Sequence, residues 1–134
     1  LYQESHADKI DRLAAAAGIV QDVLIEVNDG ESNKQGVADE NLIDMLTHCA
    51  ALEHVRVKGL MIMAPIGDAS VARATFKRLR ELRDAAQSDL AARGIDMELH
   101  ELSMGMSNDY SEGIGEGATM VRIGRAIFSA DYAG

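Results

Sequence analysis

Two short segments near the end of the chain combine hydroxyl groups, glycines and an arginine. Residues 102–107 have the sequence LSMGMS, and residues 119–124 have the sequence TMVRIG. Hydroxyls and free backbone N–H groups at the end of an apolar strand, just before a helix begins, bind anions, because the polarity of the helix end favours negative charge. The segments therefore predict a phosphate site, to which the second strand brings Arg122 and a tight glycine turn.

The same residues have a plainer interpretation. Ser107 then serves only as the N-cap of a helix from Asn108 to Gly117, and Gly124 serves only to turn the chain. The spacing of these residues alone does not favour either interpretation.

Helices and strands alternate along the chain. The spacing of apolar residues predicts helices over residues 8–17, 39–51, 68 or 70 to 92, and 108–117, and strands over residues 20–28, 55–63, 97–102 and 119–123. This alternation requires parallel pairing and right-handed crossovers. The predicted fold class is therefore α/β, with parallel strands and helices that form half of a (β/α)8 TIM barrel.

In such a barrel the ligand lies at the carboxyl ends of the strands. Several polar residues of this sequence fall there, together with methionines, a proline and a glycine. They are Asn28, Glu31 and Lys34, then Met61, Met63 and Pro65, then Ser103 and Ser107, and finally Arg122 and Gly124. We expect Asn28 to hold its loop through side-chain hydrogen bonds.

Composition limits the function further. At 134 residues the chain is one domain at most, short of the roughly 200 residues that a complete barrel needs. The net charge of −9 argues against binding nucleic acid or an anionic membrane, because phosphate backbones are repelled. The single cysteine, Cys49, forms no internal disulfide and is expected to be a buried apolar residue.

Other classes of site and location are also disfavoured. Signal-peptide patterns and apolar runs of about 18 residues are absent from the sequence, so we expect a cytoplasmic protein. The histidines are scattered, which predicts that no metal site is present. They are His6, His48, His54 and His100.

Several segments together resemble a known family. Residues 23–28 (VLIEVN) are followed by Glu31, Lys34 and Gly36, then by residues 59–61 (GLM), 103–107 (SMGMS) and 122–124 (RIG) with Phe128. In order and spacing they resemble the pyridoxal-phosphate homeostasis proteins. Members are single-domain, alanine-racemase-like barrels that hold pyridoxal 5′-phosphate (PLP) as carriers or buffers, which implies no enzymatic turnover.

The resemblance covers nearly all of the chain but begins partway along the barrel. It implies that residues 1–134 are the C-terminal portion of a PLP-binding barrel, whose N-terminal half, with the imine lysine, is not in this chain. It also implies roles for individual residues. Phosphate, sulfate or the PLP phosphate is assigned to Ser103 and Ser107 and to the backbone N–H groups of Gly105, Met106 and Gly124.

Arg122 is assigned to the pyridine nitrogen. A guanidinium only donates, which keeps that nitrogen unprotonated and weakens the cofactor as an electron sink. The alternative for Arg122 is a surface ion pair. Lys34 matches a loop lysine of the family, and we expect no covalent PLP on this chain, whose lysines are Lys9, Lys34, Lys58 and Lys77.

Two other functions stay open. A PLP-dependent racemase or aldolase of the same fold would need a second acid–base residue over the cofactor. A structural fragment without a ligand is the third possibility.

Half a barrel would expose an apolar inner face. We expect that face to carry Val23, Ile25, Leu60, Ile62 and Val121. Contiguous exposed apolar surface and open strand edges favour association, so we expect the missing N-terminal half, or a second copy of the chain, to cover them.

Overall fold

The computed structural model describes residues 1–30, 35–65, 67–106 and 109–122. The helices are α1 (Glu4–Ala17), α2 (Leu42–Ala50), α3 (Ala69–Ala92) and α4 (Tyr110–Gly115), with a 3-10 turn at Asp39–Asn41 before α2. The strands are β1 (Gln21–Glu26), β2 (Val55–Ile62), β3 (Glu101–Met106) and β4 (Met120–Arg122). The predicted alternation of helices and strands is confirmed.

The strands form one four-stranded sheet in the order β1-β2-β3-β4, and every neighbouring pair is parallel. The α/β class is therefore confirmed. Asp68 caps α3 by accepting hydrogen bonds from the backbone N–H groups of Ser70 and Val71. The Ser70 hydroxyl also donates to Asp68, and these bonds lower the pKa of the Asp68 carboxyl.

The third strand and the last helix begin later than the sequence predicts. Residues 97–99 lie outside the strand and are held by the side chain of Gln87 from α3, whose amide nitrogen donates to the Met97 carbonyl. The Leu99 N–H donates to the Gln87 side-chain oxygen at 2.7 Å. Because this amide satisfies their backbone groups, the ladder with β2 starts only at Glu101. Helix α4 begins at Tyr110, not at Asn108.

One face of the sheet packs against helices and forms the core. Ile25, Leu60 and Ile62 are fully buried there together with Phe76 and Leu79 of α3. The prediction that Ile25, Leu60 and Ile62 line the inner face of a barrel is therefore wrong. Both faces of these apolar strand segments look alike in sequence, so their alternation does not show which one the helices cover.

A β-bulge in β2 determines which residues share a face. Val23 of β1 is aligned with Val57, but Leu24 is aligned with Gly59, so Lys58 is an extra residue on β2. Gly59 lies directly against β3, since a Cβ at this position would be 1.8 Å from the Glu101 carbonyl oxygen. A side chain at position 59 is therefore incompatible with the pairing of β2 and β3.

We expect Gly59→Ala to lower the free energy of unfolding by about 3 kcal/mol or more, because the methyl group forces two paired backbones apart. The control is Gly115→Ala at the end of α4, where an added Cβ has no neighbour within 4 Å among the described residues. That variant should be within about 1 kcal/mol of the wild type. Urea unfolding of both variants measures the difference, and similar values for the two would contradict the packing argument.

Helices α1 and α2 are joined by a histidine. The His48 Nε2 lies 2.7 Å from an Asp8 carboxylate oxygen, and its Nδ1 lies 3.6 Å from a Glu4 carboxylate oxygen. The neighbouring Cys49 is 1% exposed, as expected for a buried apolar residue. Burial raises the pKa of the Cys49 thiol from 9.0 to about 11, and the carboxylates of Glu4 and Asp8 add to this effect.

Cys49 should therefore react slowly with iodoacetamide in the folded protein at pH 8, where about one thiol in a thousand is ionised. The reaction should be fast in denaturant. Because the unfolded thiol loses its proton first, the free energy of unfolding should fall as pH rises from 9.0 to about 11. The control is Cys49→Ala, which should lack this loss. Equal alkylation rates with and without denaturant would disprove the burial of the thiol.

Candidate functional site

A row of side chains crosses the sheet on the face opposite the helical core. Glu26 is aligned with Met61, Met61 with Ser103, and Ser103 with Met120. Aligned residues of parallel strands share a face, so these four side chains lie side by side near the carboxyl ends of β1 to β3. The structure thus brings Ser103 of the predicted site together with a carboxylate that the sequence analysis did not select.

Arg122 reaches across this face. It lies two residues after Met120 on the same strand, and its Nη2 donates to the Ile62 carbonyl oxygen of β2 at 3.2 Å. Its Nη1 lies 3.6 Å from the Met61 sulfur. The Nε–H group is buried without a hydrogen-bond partner in the described part of the chain, where Arg122 also forms no ion pair. The surface ion-pair interpretation is therefore not what the structure shows.

Ser103 is a second polar group of this face without a partner. The residue is 3% exposed, and its hydroxyl forms no hydrogen bond with any residue that the structure describes. The Ser103 hydroxyl is not among the fully buried unsatisfied atoms of the described residues, whereas the Arg122 Nε is, and leaving such a donor unsatisfied costs about 1–3 kcal/mol. Both Ser103 and Arg122 therefore offer donors to a molecule placed on this face.

Glycines let α4 pack directly on the end of β3. Gly105 has a φ of +110°, and a Cβ there would lie 3.0 Å from the Tyr110 Cα. A Cβ at Gly113 would lie 2.4 Å from the Met104 carbonyl oxygen. The structure therefore gives Gly105 a steric role that is independent of any phosphate contact.

The backbone N–H of Met106 is already hydrogen-bonded within the chain. Its backbone N–H, which was assigned to phosphate, donates to an Asp109 carboxylate oxygen at 2.7 Å. A carboxylate of the chain itself thus occupies this donor, and a bound phosphate would have to compete with it. Two further predicted phosphate ligands, Ser107 and Gly124, lie outside the described residues.

The loop after β1 is fixed at its base by Asn28. The Asn28 side chain donates to the Gln35 carbonyl oxygen at 2.9 Å and accepts a bond from the Gly30 N–H at 2.7 Å. The predicted loop-holding role of Asn28 is confirmed. Gln35 in turn donates to the Glu26 carboxylate at 3.4 Å. Glu31 and Lys34 of this loop lie outside the described residues.

Arg78 of α3 ties the same loop to the helical layer. Its Nη1 donates to both carboxylate oxygens of Asp39, at 2.5 and 2.6 Å, and its Nη2 donates to the Asn28 carbonyl oxygen at 2.7 Å. The sequence gives no signal for this contact, because Arg78 resembles the other charged residues on α3. The loop beside the site is therefore positioned by a residue from a distant part of the chain.

A cavity of about 710 Å³ lies at the outer edge of β1. It shares Glu26 and Met61 with the row described above, and its other walls are mainly apolar, including Leu1 and Leu24. Leu1 itself runs beside β1, where its carbonyl accepts a bond from the Glu26 N–H at 2.9 Å. A volume of this size is typical of small-molecule sites.

Two other features, a metal-binding cluster and a membrane-spanning helix, are absent from the described ranges. His, Cys, Asp and Glu side chains do not come together there in a group of three or more that would hold a metal ion. Within the same ranges, each helix is too short or too polar to cross a bilayer.

We expect Arg78→Ala to lower the free energy of unfolding by about 1–2 kcal/mol, because three charge-assisted bonds are lost at a partly exposed position. Amide hydrogen exchange should increase most at Asn28, Gly30 and Val37. The control is the exposed Arg73 on the same helix, for which the alanine variant should stay within about 0.5 kcal/mol of the wild type. Uniform exchange changes over the whole chain would contradict a local role.

Comparisons with known proteins identify the family and the fold. The family model for the N-terminal domain of alanine racemase matches residues 1–131. A pyridoxal phosphate homeostasis protein from Aquifex aeolicus is 45% identical over 130 residues, which are 96% of this chain and 55% of that protein. The chain thus spans about half the length of this relative. The predicted resemblance to this class of proteins is confirmed.

Solved structures extend the comparison. PipY from Synechococcus elongatus with PLP bound has a TM-score of 0.85 at 29% identity, over 96% of this chain and 58% of PipY. An alanine racemase from Clostridium difficile has a TM-score of 0.65 at 18% identity, over 92% of this chain and 33% of the enzyme. At that identity the second likeness shows the fold alone, which confirms the alanine-racemase-like barrel architecture.

Proposed function

Because this chain belongs to the alanine racemase N-terminal domain family, we propose that it is part of a protein that binds PLP and passes it on without catalysing a reaction of its own. The similarity to homeostasis proteins and to PLP-bound PipY supports this proposal. A cytoplasmic location, where free PLP would be buffered, is part of it.

The observation that carries the proposal is the pair of unsatisfied donors on one face. The Arg122 Nε–H and the Ser103 hydroxyl lack partners among the described residues, although both lie in largely buried surroundings. PLP offers acceptors of the matching kinds, since it has an anionic phosphate and a pyridine nitrogen. The residues present therefore fit the cofactor.

Each residue then has a role that follows from its chemistry. Ser103 donates to a phosphate oxygen, together with Ser107 and the backbone N–H groups of Gly105 and Gly124 as proposed partners. Arg122 donates to the pyridine nitrogen and cannot accept a proton from it, because a guanidinium stays protonated. When bound, PLP supplies an aldehyde that reacts with amines.

An arginine at the pyridine nitrogen suits a carrier or a racemase better than broad carbanion catalysis. A pyridine nitrogen that stays unprotonated withdraws fewer electrons, so the cofactor remains intact but less reactive. Because the chain spans about half of its relatives, we propose that residues 1–134 form a partial barrel. The covalent lysine and the cover of the open face would then come from residues outside this chain or from self-association.

The test is isothermal titration of the full-length protein with PLP and with inorganic phosphate. Ser103→Ala should weaken both ligands about tenfold or more, because one bond to a charged group is lost. Arg122→Ala should leave the phosphate affinity unchanged and shift the absorption spectrum of bound PLP. The control is Ser88→Ala on the exposed side of α3, which should change neither. Absence of binding of both ligands to the wild-type protein would disprove the function.

A further inference from the structure

The strongest unexplained feature of the site is a buried acid. Glu26 is 7% exposed and lies at the end of β1, in register with Met61. Its carboxylate accepts a single hydrogen bond among the described residues, from Gln35 at a long 3.4 Å. An ionised carboxylate that is largely removed from water is stabilised by a cation or by strong donors.

The described part of the chain does not supply that cation. The ion pairs of the described residues involve other acids, so the nitrogens of Lys, Arg and His there lie more than 4 Å from the Glu26 carboxylate. Lys9 and His6 line the same cavity as Glu26 without pairing with it. Within the described residues the carboxylate is therefore free to pair with a cationic group from outside them.

A second and independent observation identifies this face as a ligand site. Ser103, which is 3% exposed and in register with Met61, has a hydroxyl without a partner among the described residues. Met61 thus lies between Glu26 on one side and Ser103 on the other, and the guanidinium of Arg122 contacts its sulfur. A ligand on Met61 would meet donors from Ser103 and Arg122 and an acceptor from Glu26.

We propose that Glu26 binds a primary ammonium group of a phosphorylated aromatic ligand, of which pyridoxamine 5′-phosphate is the simplest example. This inference rests on the proposed function, because the phosphate of that ligand would use the same Ser103 contact. The aldehyde of PLP carries no positive charge for Glu26, whereas an aminomethyl group does.

The cavity beside Glu26 is consistent with this role. The cavity has a volume of about 710 Å³, and Glu26 is the one carboxylate among the residues that line it, which also include Lys9 and His6. The site would therefore distinguish an amine from an aldehyde by charge.

The test is isothermal titration of the full-length protein with pyridoxamine 5′-phosphate, PLP and inorganic phosphate. Glu26→Gln keeps the shape and the bond from Gln35 but removes the charge. It should weaken pyridoxamine 5′-phosphate about tenfold or more and change the affinities for PLP and phosphate less than about twofold. The control is Glu53→Gln, an exposed acid after α2, which should change none of the three.

A measurement on the wild type keeps the test decisive if Glu26→Gln does not fold. The 13C NMR signal of the Glu26 carboxyl should shift on addition of pyridoxamine 5′-phosphate and stay unchanged with inorganic phosphate. Equal losses for the amine and the aldehyde, or an unshifted carboxyl signal, would overturn the role of Glu26 alone. Failure of the wild type to bind PLP and phosphate would overturn the proposed function as well.

Discussion

The burial of one face of the sheet against helices determines what the other face presents. Ile25, Leu60 and Leu102 are each at most 1% exposed on the helical side. Because successive side chains of a strand alternate, this burial sends their neighbours Glu26, Met61 and Ser103 to the opposite face. The hydrophobic effect on the apolar residues therefore aligns Glu26, Met61 and Ser103. Polar contacts among these three are not needed to align them.

The order and parallel pairing of the elements could be predicted, because helix and strand periods differ and right-handed crossovers leave few topologies. The start of β3 could not be predicted. Residues 97–99 alternate like a strand, but the amide of Gln87 satisfies their backbone groups from a helix. A side chain that replaces a neighbouring strand leaves no pattern in the local sequence.

For the site, the sequence indicated which residue types could bind a ligand. It did not indicate which face of the sheet they occupy. Ser103 and Arg122 could be selected as donors, yet apolar runs such as residues 23–25 do not show which face is covered. Glu26 could also have been selected from the sequence, because a charged residue that directly follows such a run has to face away from the core. The contacts of Arg78 with Asp39, 39 residues away in sequence, depend on the folded arrangement and could not be predicted.

The bulge at Lys58 shifts the alternation of faces along β2 by one residue. Before it, Val55 and Val57 face the helices, and after it, Leu60 and Ile62 do so. Loss of one residue here would exchange the two faces of the remaining strand, so that Met61 would enter the core and Ile62 would enter the polar row. The contact between Met61 and Arg122 therefore depends on chain length at this point as much as on the identity of either residue.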